Sequence, residues 1–235
     1  MATKEIHPIY ALTAGVVGGA ICFATIKKIH DSIKATQLIK ENVRLNKIIV
    51  NDNLDSIQFI EAFEKLDMKK PIIIEITTYG GSYNEYFHVI KYLAKKKSEC
   101  TLKIICHIPK YASSGGWLLA NCADEFVFRK SSYVTPFDPQ FNLAVAEYCP
   151  VTMFENKAIT DLIDKRGIKE AGVKHKACQI ISSSRILIDL LGKMQKWPED
   201  KQNQIFEEFL SGKYEHSTKF MPHELAELGY SVSYF

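Results

Sequence analysis

A serine set between small residues is where nucleophilic chemistry could sit in this chain. Tyr111-Ala112-Ser113-Ser114-Gly115-Gly116-Trp117 follows a strand-like run, Leu102 to Ile108, and precedes a helix-like one, Trp117 to Cys122. A tight strand-to-helix turn pushes a hydroxyl into the open, and glycines after it let a substrate reach backbone N–H groups. Those groups open a helix, where partial positive charge favours an oxyanion. By itself the stretch also fits an ordinary loop with a capping glycine, so it needs partners. One is Thr77-Thr78-Tyr79-Gly80-Gly81, a second strand end that carries glycines. Gly80-Gly81 can offer one N–H to an oxyanion and Gly115 the other, the minimum apparatus for acyl transfer.

The elements that must position these turns are readable along the chain. Ile48-Ile49-Val50 is a short strand, and the helix after it puts Ile57, Ile60, Phe63 and Leu66 on one face, with Asp55 as N-cap. Pro71 opens Ile72 to Ile76, apolar except at Glu75, which suits a buried parallel strand. A helix with Tyr86, Val89, Ile90 and Leu93, the strand Leu102 to Ile108, the serine turn with its helix, and the strand Glu125 to Phe128 follow. Alternation of this kind predicts an α/β fold with a mostly parallel sheet, whose ligands gather at the carboxyl ends of its strands. Thr135-Pro136-Phe137-Asp138-Pro139-Gln140 reads as a rigid turn. The remainder is mainly helical: Thr152 to Lys165, Gly172 to Lys193, a helix started by Trp197-Pro198-Glu199-Asp200, then a short helix, a Gly229 cap and a last strand.

Composition narrows the function classes. The net charge is +3 over 235 residues, and no basic, aromatic-interleaved stripe suggests nucleic acid. The six cysteines (Cys22, Cys100, Cys106, Cys122, Cys149, Cys178) lie far apart, without a Cys-x-x-Cys pair. That argues against zinc and dense disulfides and for reduced, small core residues. No Walker loop or metal-ligand cluster appears, so neither cofactor nor metal is expected.

Ile9 to Ile26 carries no charged residue and is just long enough to cross a bilayer. A buried core helix and a cleaved signal peptide are the other readings. The short flank Met1 to Pro8, with Lys4 offset by Glu5, disfavours cleavage; richness in Gly and Ala disfavours a core helix. Lys27, Lys28 and Lys34 follow the span, so the rest of the chain is expected on the cytoplasmic, reducing side. Gly15 and Gly19 form a small-xxx-small pair that can bring two such helices together. The organisation expected is a flank (1–8), a membrane anchor (9–26), a helical connector (27–47) and one domain (48–235).

Taken in order, the motifs of that domain resemble the serine dehydrogenase proteinase family, of the clan of Clp proteases and signal peptide peptidases. Thr77-Thr78-Tyr79-Gly80-Gly81 is similar to the family's His-Thr-Pro-Gly-Gly, and the serine turn to its Tyr-Ala-Met-Ser-Gly-Gly-Thr. Ala123-Asp124-Glu125-Phe126, Thr135 to Gln140, Ser211-Gly212-Lys213-Tyr214-Glu215-His216 and Glu227 to Val232 match further family runs. Tyr79 stands in place of a proline and Thr77 of a histidine. Trp117 replaces a small threonine and is expected to narrow the pocket. The stretch between Ile48 and Pro71 is shorter than in typical members.

The resemblance implies a ClpP/crotonase-like spiral of βαβ units with a mainly helical C-terminal part, acting as a peptidase with Ser114, not Ser113, as nucleophile. It also implies homo-oligomers, and a peptide or protein substrate. Two bases are open. Lys176, in His175-Lys176-Ala177, resembles a family lysine, and a Ser–Lys dyad occurs in the clan; a lysine base needs a desolvated pocket that holds it neutral. His216 needs little tuning and would suit a triad completed by Asp138. Two rivals use the same fold: a non-catalytic scaffold for a membrane or protein partner, and a crotonase-like acyl-CoA enzyme.

Overall fold

A computed structural model of the chain describes residues 31, 34, 37–142, 148–150 and 170–235. The uncharged run Ile9 to Ile26 and the helix expected over Thr152 to Lys165 lie outside these residues. Among the described residues, no helix is long and apolar enough to cross a membrane. Residues 37–44 are helical and largely exposed, as a polar connector should be. They belong to a unit, Met1–Leu45, distinct from the unit Asn46–Phe235 that carries the sheet.

In that larger unit, β1 (Lys47–Asn51) leads through α1 (Ser56–Phe63) to β2 (Ile72–Thr77), and α2 (Tyr83–Glu99) leads on to β3 (Ile104–Ile108). The short strand β4 (Tyr111–Ala112), α3 (Gly115–Ala120), β5 (Glu125–Phe128) and β6 (Tyr133–Val134) follow. Next come β7 (Gln140–Asn142) and β8 (Tyr148–Pro150), which pair antiparallel. After them, α4 (Glu170–Gln195), α5 (Glu199–Phe209), α6 (Pro222–Glu227) and β9 (Val232–Tyr234) are described.

Five strands form one parallel sheet in the order β1-β2-β3-β5-β9. Parallel neighbours cannot be joined by hairpins, so helices cross over and cover the sheet. Ile72, Ile74, Ile76, Ile104, Cys106 and Ile108 are buried accordingly, and the polar break at Glu75 is met by Lys47 at 3.4 Å. Helix α2 buries Tyr86, Val89, Ile90 and Leu93, the 3.6-residue stripe its sequence predicts.

The stripe expected for α1 holds at Phe63 and Leu66, with Ile60 packed against the core, and is corrected at Ile57. Asp55 does cap the helix, accepting from the Gln58 N–H at 3.0 Å. The buried face, however, is Ser56, Phe59 and Phe63, and Ile57 is 65% exposed. The larger rings of Phe59 and Phe63, stacked at 6.0 Å, bury more apolar area than Ile57 would, so they set the helix rotation.

Trp117 is also corrected. Its side chain is fully buried among Phe126, Phe209 and Tyr230, with ring centroids 5.6, 6.0 and 5.1 Å away. It points from α3 into the core, and so anchors the serine turn from behind without narrowing any pocket. Truncation to Trp117→Ala should cost about 3–5 kcal/mol of stability, read from the urea midpoint. An unchanged midpoint would mean that the turn is held some other way.

Two of the cysteines follow expectation. Cys106 and Cys122 are buried free thiols, and burial pushes both thiol pKa values up, that of Cys122 to about 12. They are inert packing groups. Cys100 and Cys178 are free and exposed.

Candidate active site

Ser114 occupies the turn between β4 and α3 at φ +50°, ψ −123°. This is a sparsely populated conformation for a residue with a side chain and costs about 1–3 kcal/mol unless the surroundings enforce it. They do. The Ser114 N–H donates to Thr135 Oγ1 at 3.0 Å, and its carbonyl accepts from Trp117 and Leu118 N–H at 3.0 and 3.1 Å. The preceding Ser113 is buried and bonded on both sides, its N–H to Thr78 O at 2.9 Å and its carbonyl to Gly116 N–H at 2.8 Å. Ser114 is half-buried and lines a cavity of about 1350 Å³. Ser113 lines the cavity too, so the two serines are separated by the greater exposure of Ser114 and its place at the strained turn.

Glycines lock the two turns together. A Cβ on Gly80 (φ +108°) would lie 2.7 Å from Ser114 Cβ and 3.2 Å from Gly115 N. A Cβ on Gly115 would lie 2.4 Å from the Tyr86 ring, and one on Gly116 2.5 Å from Thr78 Cγ2. The end of β2 and the serine turn therefore approach more closely than any side chain allows.

This contact also sorts the candidate oxyanion donors. The Gly80 N–H is taken by Thr78 Oγ1 at 3.0 Å, and Gly80 does not line the cavity, which removes it from the set. Gly81 and Gly115 do line it, and among the described residues neither N–H has an acceptor. Both donors line the cavity that Ser114 lines.

The loop after β6 carries the next pieces. Phe137 N–H donates to Phe209 O at 2.9 Å and the two rings stack at 5.6 Å, pinning the loop to α5. Thr135 at one end holds the serine turn; Asp138 at the other is 1% exposed. Asp138 Oδ1 lies 2.7 Å from His216 Nδ1, and Asp138 Oδ2 accepts from Gln140 Nε2. A carboxylate only accepts, so Nδ1 carries the proton and Nε2 is left to receive one. His216 is about one-third exposed and lines the same cavity as Ser114, on the loop between α5 and α6 that Phe220 fastens to Val134 through two backbone bonds of 2.9 and 3.0 Å.

The structure thus places Ser114, Gly81, Gly115 and His216 on one cavity, with the buried Asp138 bonded to His216. Lys176 it does not: this residue is exposed on α4 and is absent from the described residues lining the cavity. Three residues escaped the sequence reading. Thr135 and Gln140 lie within the rigid turn, where only their types hinted at hydrogen bonding. Tyr86 looks like a core helix residue, yet it lines the cavity and its ring lies against Gly115, with its hydroxyl buried. Burial raises its phenol pKa, so it stays neutral.

Comparison with known proteins adds the following. Residues 26–234 match the model of the ClpP-like SDH-type serine proteinases. Two uncharacterized proteins of Methanocaldococcus jannaschii are similar: MJ0137, 28% identical over 76% of this chain and 59% of its own length, and MJ1495, 26% identical over 76% and 58%. The chain thus spans under two-thirds of the curated relatives it matches. Among solved structures, a mutant of the 1510-N membrane-bound stomatin-specific protease superposes with a TM-score of 0.50 at 12% identity, over 80% of this chain and 77% of that one, which is a likeness of fold. With nearly the whole of the larger unit inside the matched range, the chain belongs to the ClpP-like SDH-type serine proteinase family.

Proposed function

We propose that the chain is a membrane-anchored serine peptidase in which Ser114, His216 and Asp138 act as a triad. The observation that carries this reading is the Asp138–His216 bond of 2.7 Å, at the cavity that also holds the strained Ser114. Ser114 Oγ attacks the peptide carbonyl carbon as His216 Nε2 takes its proton. The resulting oxyanion is held by the Gly81 and Gly115 N–H groups. Collapse breaks the C–N bond, with His216 returning the proton to the leaving amine. Water then attacks the acyl-enzyme, His216 accepts its proton, and the carboxylic acid leaves as the Ser114 hydroxyl is restored. Asp138 keeps the imidazole in the tautomer this sequence requires, and Gln140 keeps Asp138 in place. The uncharged run Ile9 to Ile26 and its lysine flank support the anchor and a cytoplasmic face for the domain. Self-association follows from the clan resemblance.

Incubation of the full chain with a fluorophosphonate probe tests the reading. Mass spectrometry should find a single adduct, on Ser114 and not on Ser113, and Lys176→Ala should label as well as the wild type. No adduct on a folded chain would overturn the peptidase reading. Loss of the adduct in Lys176→Ala, with retention in His216→Ala, would transfer the role of base to the lysine.

A further inference from the structure

The rim of the catalytic cavity carries a stack of tyrosines that the triad does not use. Tyr79 is 71% exposed and its ring stacks on Tyr111 with centroids 4.4 Å apart and planes 27° apart. Tyr111 stacks in turn on Tyr133 at 5.7 Å and 24°. Backbone pairing fixes the stack, because Tyr111 and Tyr133 are register partners in β4 and β6. Lys219 closes the far end, its Nζ 4.6 Å from the Tyr133 centroid. Tyr79, Tyr133 and Lys219 line the same cavity as Ser114, and Tyr79 immediately precedes the Gly80-Gly81 turn.

We propose that this ladder is a substrate subsite, and that it takes an aromatic side chain of the peptide on the open face of Tyr79. The inference rests on the peptidase reading and specifies its substrate class. Tyr79 has one face against Tyr111 and the other toward solvent, so a further ring can join the stack at ordinary offset geometry. The rings are already stacked without a substrate, so little side-chain freedom is lost on binding. Guanidinium or ammonium groups also favour ring faces, but a neutral ring is the occupant that extends the ring-on-ring stacking already present along Tyr79, Tyr111 and Tyr133. Continuity with the cavity makes the occupant a residue close to the scissile bond, on the side that Gly81 faces.

The test is a positional scan of fluorogenic peptides with the full chain, run beside fluorophosphonate labelling of the same preparation. At one position near the cut, kcat/KM should favour Phe, Tyr or Trp over Ala by about three- to tenfold. In Tyr79→Ser that ratio should fall to about one, and the exposure of Tyr79 makes the substitution tolerable to the fold. Labelling with a flat profile, with a preference for Arg or Lys, or with an aromatic preference that survives Tyr79→Ser would overturn the subsite alone. Neither labelling nor cleavage would overturn the peptidase reading and the subsite with it.

Discussion

Ser114→Ala should abolish peptide hydrolysis by the full chain, and Asp138→Asn should lower kcat by about 10⁴-fold with the fold intact. The second loss follows from the bonding around Asp138. One carboxylate oxygen faces His216 Nδ1 and the other accepts from Gln140 Nε2. Gln140 Nε2 also donates to the Asp138 main-chain carbonyl at 3.4 Å, which keeps its NH₂ end toward position 138, so an amide there turns its oxygen to that donor. Its NH₂ then meets His216 Nδ1, which must become the acceptor. The ring proton moves to Nε2, where it blocks the nitrogen that should deprotonate Ser114. Gln140→Leu removes that constraint and lets the amide flip, so Asp138→Asn should cost clearly less in this background than alone. Hydrolysis rates of the two single variants and the double variant measure the coupling. Full additivity would mean that Gln140 does not orient Asp138, and a small loss in Asp138→Asn alone would remove the aspartate from the triad.

How much of this was legible in the sequence depends on whether the cause was local. The strands at Ile72, Ile104 and Glu125, the stripe of α2 and the Asp55 cap all follow from residue types a few positions apart. Both glycine turns were legible for the same reason: a strand end, small residues and a helix start are neighbours in the chain. The base was not. His216 lies 78 positions from Asp138, and no spacing rule joins them. Their bond exists because Phe137 stacks on Phe209 and Val134 pairs with Phe220, contacts that only the folded chain creates. Lys176 and His216 were both open because sequence carries neither burial nor long-range contacts. Ile57 and Trp117 were misplaced for a related reason: a helix rotates to bury its largest rings, and which face that is depends on its neighbours. Gly80 looked equivalent to Gly81 until the Thr78 hydroxyl was seen to occupy its N–H.

Gly115→Ala tests whether the interlock between the two turns is what holds the site. The added methyl would sit 2.4 Å from two carbons of the Tyr86 ring, and that ring is fully buried between the turns and the core. Neither the helix backbone nor the ring can yield cheaply, so the variant should lose about 1–3 kcal/mol from overpacking. Gly80→Ala should lose more. Its methyl meets Ser114 Cβ at 2.7 Å, and its φ of +108° disfavours any L side chain, so strain adds to the clash. Activity should fall further than stability in both. A shift of about 1 Å in the turn misaligns Ser114 with the Gly81 and Gly115 donors, a displacement that typically costs about 10²-fold. The specific partner can be identified by making room: Tyr86→Leu should partly rescue the stability of Gly115→Ala and leave Gly80→Ala unrescued, since the latter meets Ser114 instead. Urea midpoints and hydrolysis rates of the four variants separate the cases. If Gly115→Ala is as stable and as active as the parent, the turns have slack, and the strain at Ser114 must be imposed by its bonds to Thr135, Trp117 and Leu118.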